Sequence, residues 1–159
     1  MANNTRYTDL DLDLSFHPVE RKSPIAFTSA QIADFNENGY VSDIRLFDGE
    51  ALDALQRRGT EEHAELESGL NPHIRIEWIH ELSKSPHILD YVRDLLGPNV
   101  VCFISQFIDK LPGSDRQVLG HQDAAYFAVN AGSVNVWLAF EDADTENGCM
   151  HFIPGSHKL

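Results

Sequence analysis

From Val100 to Lys110 the chain reads Val-Val-Cys-Phe-Ile-Ser-Gln-Phe-Ile-Asp-Lys, with no glycine or proline, and this run restricts the possible folds more than any other stretch. Counting by twos puts Cys102, Ile104, Gln106, Ile108 and Lys110 on one face of an extended segment and Val101, Phe103, Ser105, Phe107 and Asp109 on the other. Both faces are largely apolar. A strand of this kind needs cover on each side, so it is expected in a sheet packed between helices and a partner sheet. Gln106 and Lys110 share a face, placed inward, where buried polar groups need partners and an anionic small molecule would supply one.

Ser133–Glu141 follows the same logic, with Val134, Val136, Leu138 and Phe140 toward helices and Asn135, Trp137 and Ala139 inward. Asn147-Gly148 closes an acidic turn in the manner of a hairpin, and Cys149–Ile153 returns as a strand.

The first hundred residues carry helix punctuation instead. Thr28 and Gln31 form a capping box for a helix through Ile32 and Phe35 that ends at Gly39. Tyr40–Leu46 reads as a short strand, and Asp48 as the cap of a helix over about Glu50–Leu66, with His63 on its solvated face. Gly69-Leu-Asn-Pro72 breaks the pattern, and His73–Trp78 reads as extended. Ser85-Pro86 starts another helix, with Ile88, Leu89, Val92, Leu95 and Leu96 on its apolar side, that Gly97-Pro98 stops. Residues 1–26, with the alternation Asp9–Leu14 and Pro18 and Pro24, read as a strand or an arm outside the main domain of residues 27–159.

The 12 Lys and Arg against 25 Asp and Glu give a formal charge of −13. That balance argues against nucleic acid, whose affinity comes from Lys and Arg neutralising phosphates. It also weighs against a highly anionic substrate such as a CoA thioester. No apolar run approaches the length of a membrane span, and no charged-then-apolar leader opens the chain, so no membrane partner and a cytoplasmic location are expected. The two cysteines, Cys102 and Cys149, do not make a disulfide framework and are expected as buried thiols.

Within Gly120-His121-Gln122-Asp123, an extended backbone would turn the His121 imidazole and the Asp123 carboxylate to one side. These are two of the three groups in the 2-His-1-carboxylate set that holds non-haem Fe(II). The triplet alone is common in unrelated proteins.

Its neighbours make it specific. From about Thr28 to His157 the chain resembles the phytanoyl-CoA dioxygenase family of Fe(II)- and 2-oxoglutarate-dependent oxygenases. The likeness rests on Phe-x-x-x-Gly-Tyr, Leu-Leu-Gly-Pro, Asp-Lys-Leu-Pro-Gly, His-Gln-Asp, Val-Trp-Leu-Ala-Phe and Asn-Gly-Cys-Met-His-Phe-Ile-Pro-Gly-Ser-His, in the family's order. The resemblance implies a mainly β fold with N-terminal helices, a double-stranded β-helix of the jelly-roll or cupin-like type, incomplete in this chain. It implies iron held by His121 and Asp123, and 2-oxoglutarate held by Lys110 with Gln106 and Trp137 beside it. Gln122, Tyr126, Arg75 and Trp78 are the residues expected at the substrate, a small organic molecule hydroxylated at an unactivated C–H bond using O2. A third iron ligand and a co-substrate-binding arginine are expected beyond Leu159, so the sequence reads as the N-terminal portion of a longer oxygenase. Two alternatives stand beside this reading: a non-catalytic cupin-like small-molecule binding module, and a divalent metal other than iron.

Overall fold

The computed structural model describes Asp13 and residues 15–67, 69–110, 113, 118–123, 126–127 and 132–159. Six α-helices occur among them: α1 (Ser29–Asn38), α2 (Gly49–Glu61), α3 (His63–Leu66), α4 (Pro72–Arg75), α5 (Glu77–Ser83) and α6 (Pro86–Leu96). A 3-10 turn, Ser156–Lys158, closes the chain.

The ends of α1 are set locally. The Thr28 hydroxyl accepts from the Gln31 amide while the Gln31 side chain accepts from the Thr28 amide, the reciprocal capping expected from Thr-x-x-Gln. Gly39 adopts φ 88°, and its N–H donates to the Phe35 carbonyl at 2.7 Å, which ends the helix. A side chain at Gly39 would also overlap the His157 ring. Asp48 occupies the N-cap position of α2 but makes no side-chain capping bond. Pro86 opens α6 and Gly97 follows its last turn.

The helices are joined by a buried carboxylate. Asp94 on α6 is 1% exposed and accepts from the backbone amides of Ile25, Ala26 and Phe27 at 2.8–3.0 Å, with the Arg21 guanidinium 3.4 Å away. Burial works to raise its pKa, but the three amides and Arg21 together outweigh burial and hold the carboxyl below its ordinary value. The segment before α1 is therefore tied to α6, and Phe27 packs edge-on against Tyr91 at 4.7 Å. Asn36 on α1 adds a two-way amide bridge to Val19. Most of the Asp9–Leu14 alternation lies outside the described residues.

The expected mainly β jelly roll is overturned: among the described residues there is no strand, and the regular elements are helical. Tyr40–Leu46, Val100–Lys110, Ser133–Glu141 and Cys149–Ile153 run without forming a ladder. Alternation records only which faces seek burial, whereas a strand also needs a neighbouring backbone to pair with. In the run 100–110 the Ser105 amide donates to the Asn71 side chain and the Ser105 carbonyl accepts from the Asn71 amide, at 3.1 and 2.8 Å. The Ser105 hydroxyl meets His73 Nδ1 at 2.6 Å. Those bonds fasten the run to the start of α4 instead of to another strand.

His73–Trp78, expected to be extended, forms α4 and α5. Asn71 in the left-handed region and Pro72 at the first helical position turn the chain into α4. The helix expected over Glu50–Leu66 divides at Glu62 into α2 and α3. Cys102 is exposed and Cys149 half-buried, so neither is the buried thiol expected. Phe140 meets α2 as the alternation anticipates: its carbonyl accepts from Gln56 at 2.6 Å, and its ring lies against Gly59.

Candidate metal centre

Residues Leu119–Asp123 carry the histidine and carboxylate, and the two side chains converge. His121 Nε2 stands 3.3 Å from Asp123 Oδ1, with both side chains about two-fifths exposed. Each group is also held from behind. His121 Nδ1 lies 2.7 Å from the Leu119 carbonyl, to which it can only donate, so Nδ1 carries a proton and Nε2 is the atom turned to the carboxylate. Asp123 Oδ2 accepts from the Asn135 amide, which leaves Oδ1 directed at the imidazole.

This arrangement has a simple electrostatic consequence. A lone pair and a carboxylate oxygen at this distance repel unless a cation, either a proton or a metal ion, lies between them. Two donors at about 2.0–2.2 Å from a first-row divalent ion are separated by roughly 3.0–3.4 Å, which matches the observed spacing. The residues present therefore fit such an ion. The bond from Nδ1–H to a backbone carbonyl is also the usual support of a metal-binding histidine.

The other residues named from sequence fall into two groups. Tyr126 adjoins the pair, its ring 5.7 Å from that of His121, and it is exposed. Its neighbour Phe127, outside that set, packs on Phe103 at 5.6 Å. Gln122 turns elsewhere and donates to the Ser156 carbonyl at 2.7 Å, which links the pair to the closing turn. The Lys110 ammonium donates to the Gly148 carbonyl. Gln106 and Trp137 are exposed. Trp78 is half-buried, donates to Glu62 at 2.7 Å, lies under the Arg58 guanidinium at 5.8 Å and faces Phe140 at 6.3 Å. It packs α5 against α2, whereas Arg75 is exposed at the end of α4. The contacts described for Lys110, Trp78 and Gln122 do not reach the His121 and Asp123 side chains.

Two supporting groups were not assigned a role from sequence. Alternation sets Asn135 on the inward face, and that parity is the signal in the sequence for its contact with Asp123. The Leu119 carbonyl is a backbone group, and no side-chain pattern announces it.

The family model described as phytanoyl-CoA dioxygenase (PhyH) matches residues 27–159, and the chain belongs to that family. It is 42% identical over 78 residues to "Phytanoyl-CoA dioxygenase domain-containing protein 1" of Danio rerio, a match covering 48% of this chain and 27% of the relative. It is 37% identical over 78 residues to "Phytanoyl-CoA dioxygenase, peroxisomal" of Bos taurus, covering 46% and 23% respectively. "Phytanoyl-CoA dioxygenase 1" of Oryza sativa subsp. japonica is 46% identical over 55 residues, covering 34% of this chain and 20% of the relative. The matched stretch thus spans about a quarter of the length of these relatives. No solved structure matches the chain significantly.

Proposed function

We propose that this chain contributes to an Fe(II)- and 2-oxoglutarate-dependent oxygenase that hydroxylates a small organic molecule at an unactivated C–H bond. The observation that carries the reading is the facing pair His121 Nε2 and Asp123 Oδ1, 3.3 Å apart, in a chain of the phytanoyl-CoA dioxygenase family. Iron bound there would supply the oxidative chemistry, with O2 and 2-oxoglutarate consumed together.

The chain's own residues orient and hold. Leu119 fixes the imidazole ring through Nδ1, and Asn135 fixes the carboxylate through Oδ2, so both donors are aimed before an ion arrives. The Tyr126 ring beside His121 offers an apolar wall for a bound molecule. Lys110, exposed and cationic, is the residue proposed for a carboxylate of 2-oxoglutarate, and Trp137 and Gln106, also exposed, are the further contacts proposed for that molecule. Reaching a co-substrate would require its ammonium to leave the Gly148 carbonyl.

The test is succinate release from 2-oxoglutarate under air, measured with Fe(II) present for the wild type and for Asp123→Ala. Release by the wild type that disappears in the variant supports the oxygenase reading. Iron binding with no release of succinate would leave a binding module, and equal release by both proteins would remove Asp123 from the centre.

A further inference from the structure

A second group of metal-type donors lies where α3 meets the run 100–110. His63 and Glu67 are four residues apart on one helical turn, the Glu67 amide bonding the His63 carbonyl at 2.9 Å, so their side chains project to the same side. Asp109 approaches them from the other segment, with His63 Nε2 2.8 Å from its Oδ2. One ligand atom from each of the three residues lies within 4.8 Å of the other two.

The surroundings orient this group. The His63 ring stands edge-on to Phe107 at 5.9 Å and 89°. Phe107 and Asp109 are two apart, so an extended backbone turns both toward α3. The His63 and Asp109 side chains are 39% and 28% exposed, sheltered enough to strengthen their electrostatics, while Glu67 remains in solvent as a movable third arm. Two carboxylates converge on a single imidazole in a chain of formal charge −13. Such a convergence is relieved by a cation, either a proton on His63 shared with Asp109 or a metal ion held by all three groups.

We infer that His63, Glu67 and Asp109 form a second divalent-metal site, separate from His121 and Asp123, that takes a zinc-class ion. One imidazole nitrogen and two carboxylate oxygens suit a borderline first-row ion, with a water completing a tetrahedral set. Occupancy needs Asp109 to draw back from His63 by about 0.5 Å, toward the spacing of two donors on one ion, and Glu67 to swing in. The role is structural. An ion there clips α3 to the residue immediately before Lys110 and so joins the helices to the part of the chain that bears the His121 pair.

The probe is zinc alone, titrated against a chromophoric chelator into the full, metal-stripped chain carrying Asp123→Ala, so that the first pair contributes little. One zinc equivalent is expected, together with a rise in the melting temperature, because an ion that binds only the folded state stabilises it. Adding Asp109→Asn, close in shape to aspartate, or Glu67→Gln, at an exposed position, should weaken zinc by about 100-fold or more and abolish the rise. Circular dichroism of the metal-free proteins should be unchanged. No zinc uptake by the Asp123→Ala protein, or unaltered uptake after either addition, overturns the inference.

Discussion

The helices before Gly97 and the segments after it are stabilised by different means. Among the described residues the buried apolar side chains are Phe27, Ile32, Leu66, Ile76 and Ile88, and no residue after Asp94 is fully buried. After Gly97, Val101, Ile108 and Ile153 are 81%, 60% and 75% exposed, in segments whose composition calls for burial. The earlier part has an apolar centre and a carboxylate latch. Among the described residues the later part is held by specific links that include Asn71 to Ser105, Gln56 to Phe140, His63 to Asp109, Gln122 to Ser156, and the closing turn on α1, where the Gly155 amide meets the Asn38 carbonyl at 2.9 Å and Lys158 pairs with Glu37. This chain's helices are bounded by local signals and joined by a buried latch, whereas its later segments are attached through contacts between individual groups, with the His121 pair itself set within a few residues.

The largest expected effect lies in the latch. Asp94→Ala strands three backbone amides and should cost about 3–5 kcal/mol, read as a lowered denaturation midpoint. A smaller effect there would mean that the helical part does not depend on the latch. The pH dependence follows from the same carboxylate. Its folded pKa is lowered, so its stabilisation is full above the unfolded value of about 3.9 and is lost as the pH falls through the lower folded value. Acid titration of stability should therefore be steeper in the wild type than in Asp94→Asn.

Gly39→Ala probes the joint between the two parts, because it forces a β-carbon into the left-handed region and against His157. A loss of about 1–3 kcal/mol is expected in thermal melts, together with faster proteolysis near the C-terminus. Loss without faster proteolysis would mean that the turn is held independently of α1. Smallest is Thr28→Ala, which removes half of the capping box and should cost about 1 kcal/mol.

The same division explains how much could be read in advance. Thr28, Gln31 and Gly39 act within one turn of each other, as do Pro86 and Gly97 with their helix, so their meaning is contained in neighbouring letters. The run 100–110 is different, because alternation shows that both faces want cover but does not name the backbone that answers Ser105. The answer comes from Asn71, 34 residues earlier, whose side-chain oxygen takes the Ser105 amide and whose backbone amide meets the Ser105 carbonyl. Pro72, at the first helical position of α4, is the local signal that makes the residues after it helical rather than extended. At the site, the spacing of His121 and Asp123 points to their convergence, whereas no letter near His63 names its partner Asp109, 46 residues away.

Equilibrium dialysis of Fe(II) under anaerobic conditions measures iron binding by the His121 pair. Wild type, Asp123→Ala and Asn135→Ala would be compared, each checked for unchanged circular dichroism. One Fe(II) equivalent should be lost with Asp123→Ala, and its affinity should fall by about 10–100-fold with Asn135→Ala, whose amide only orients the carboxylate. Equal iron content in the wild type and Asp123→Ala would contradict the account.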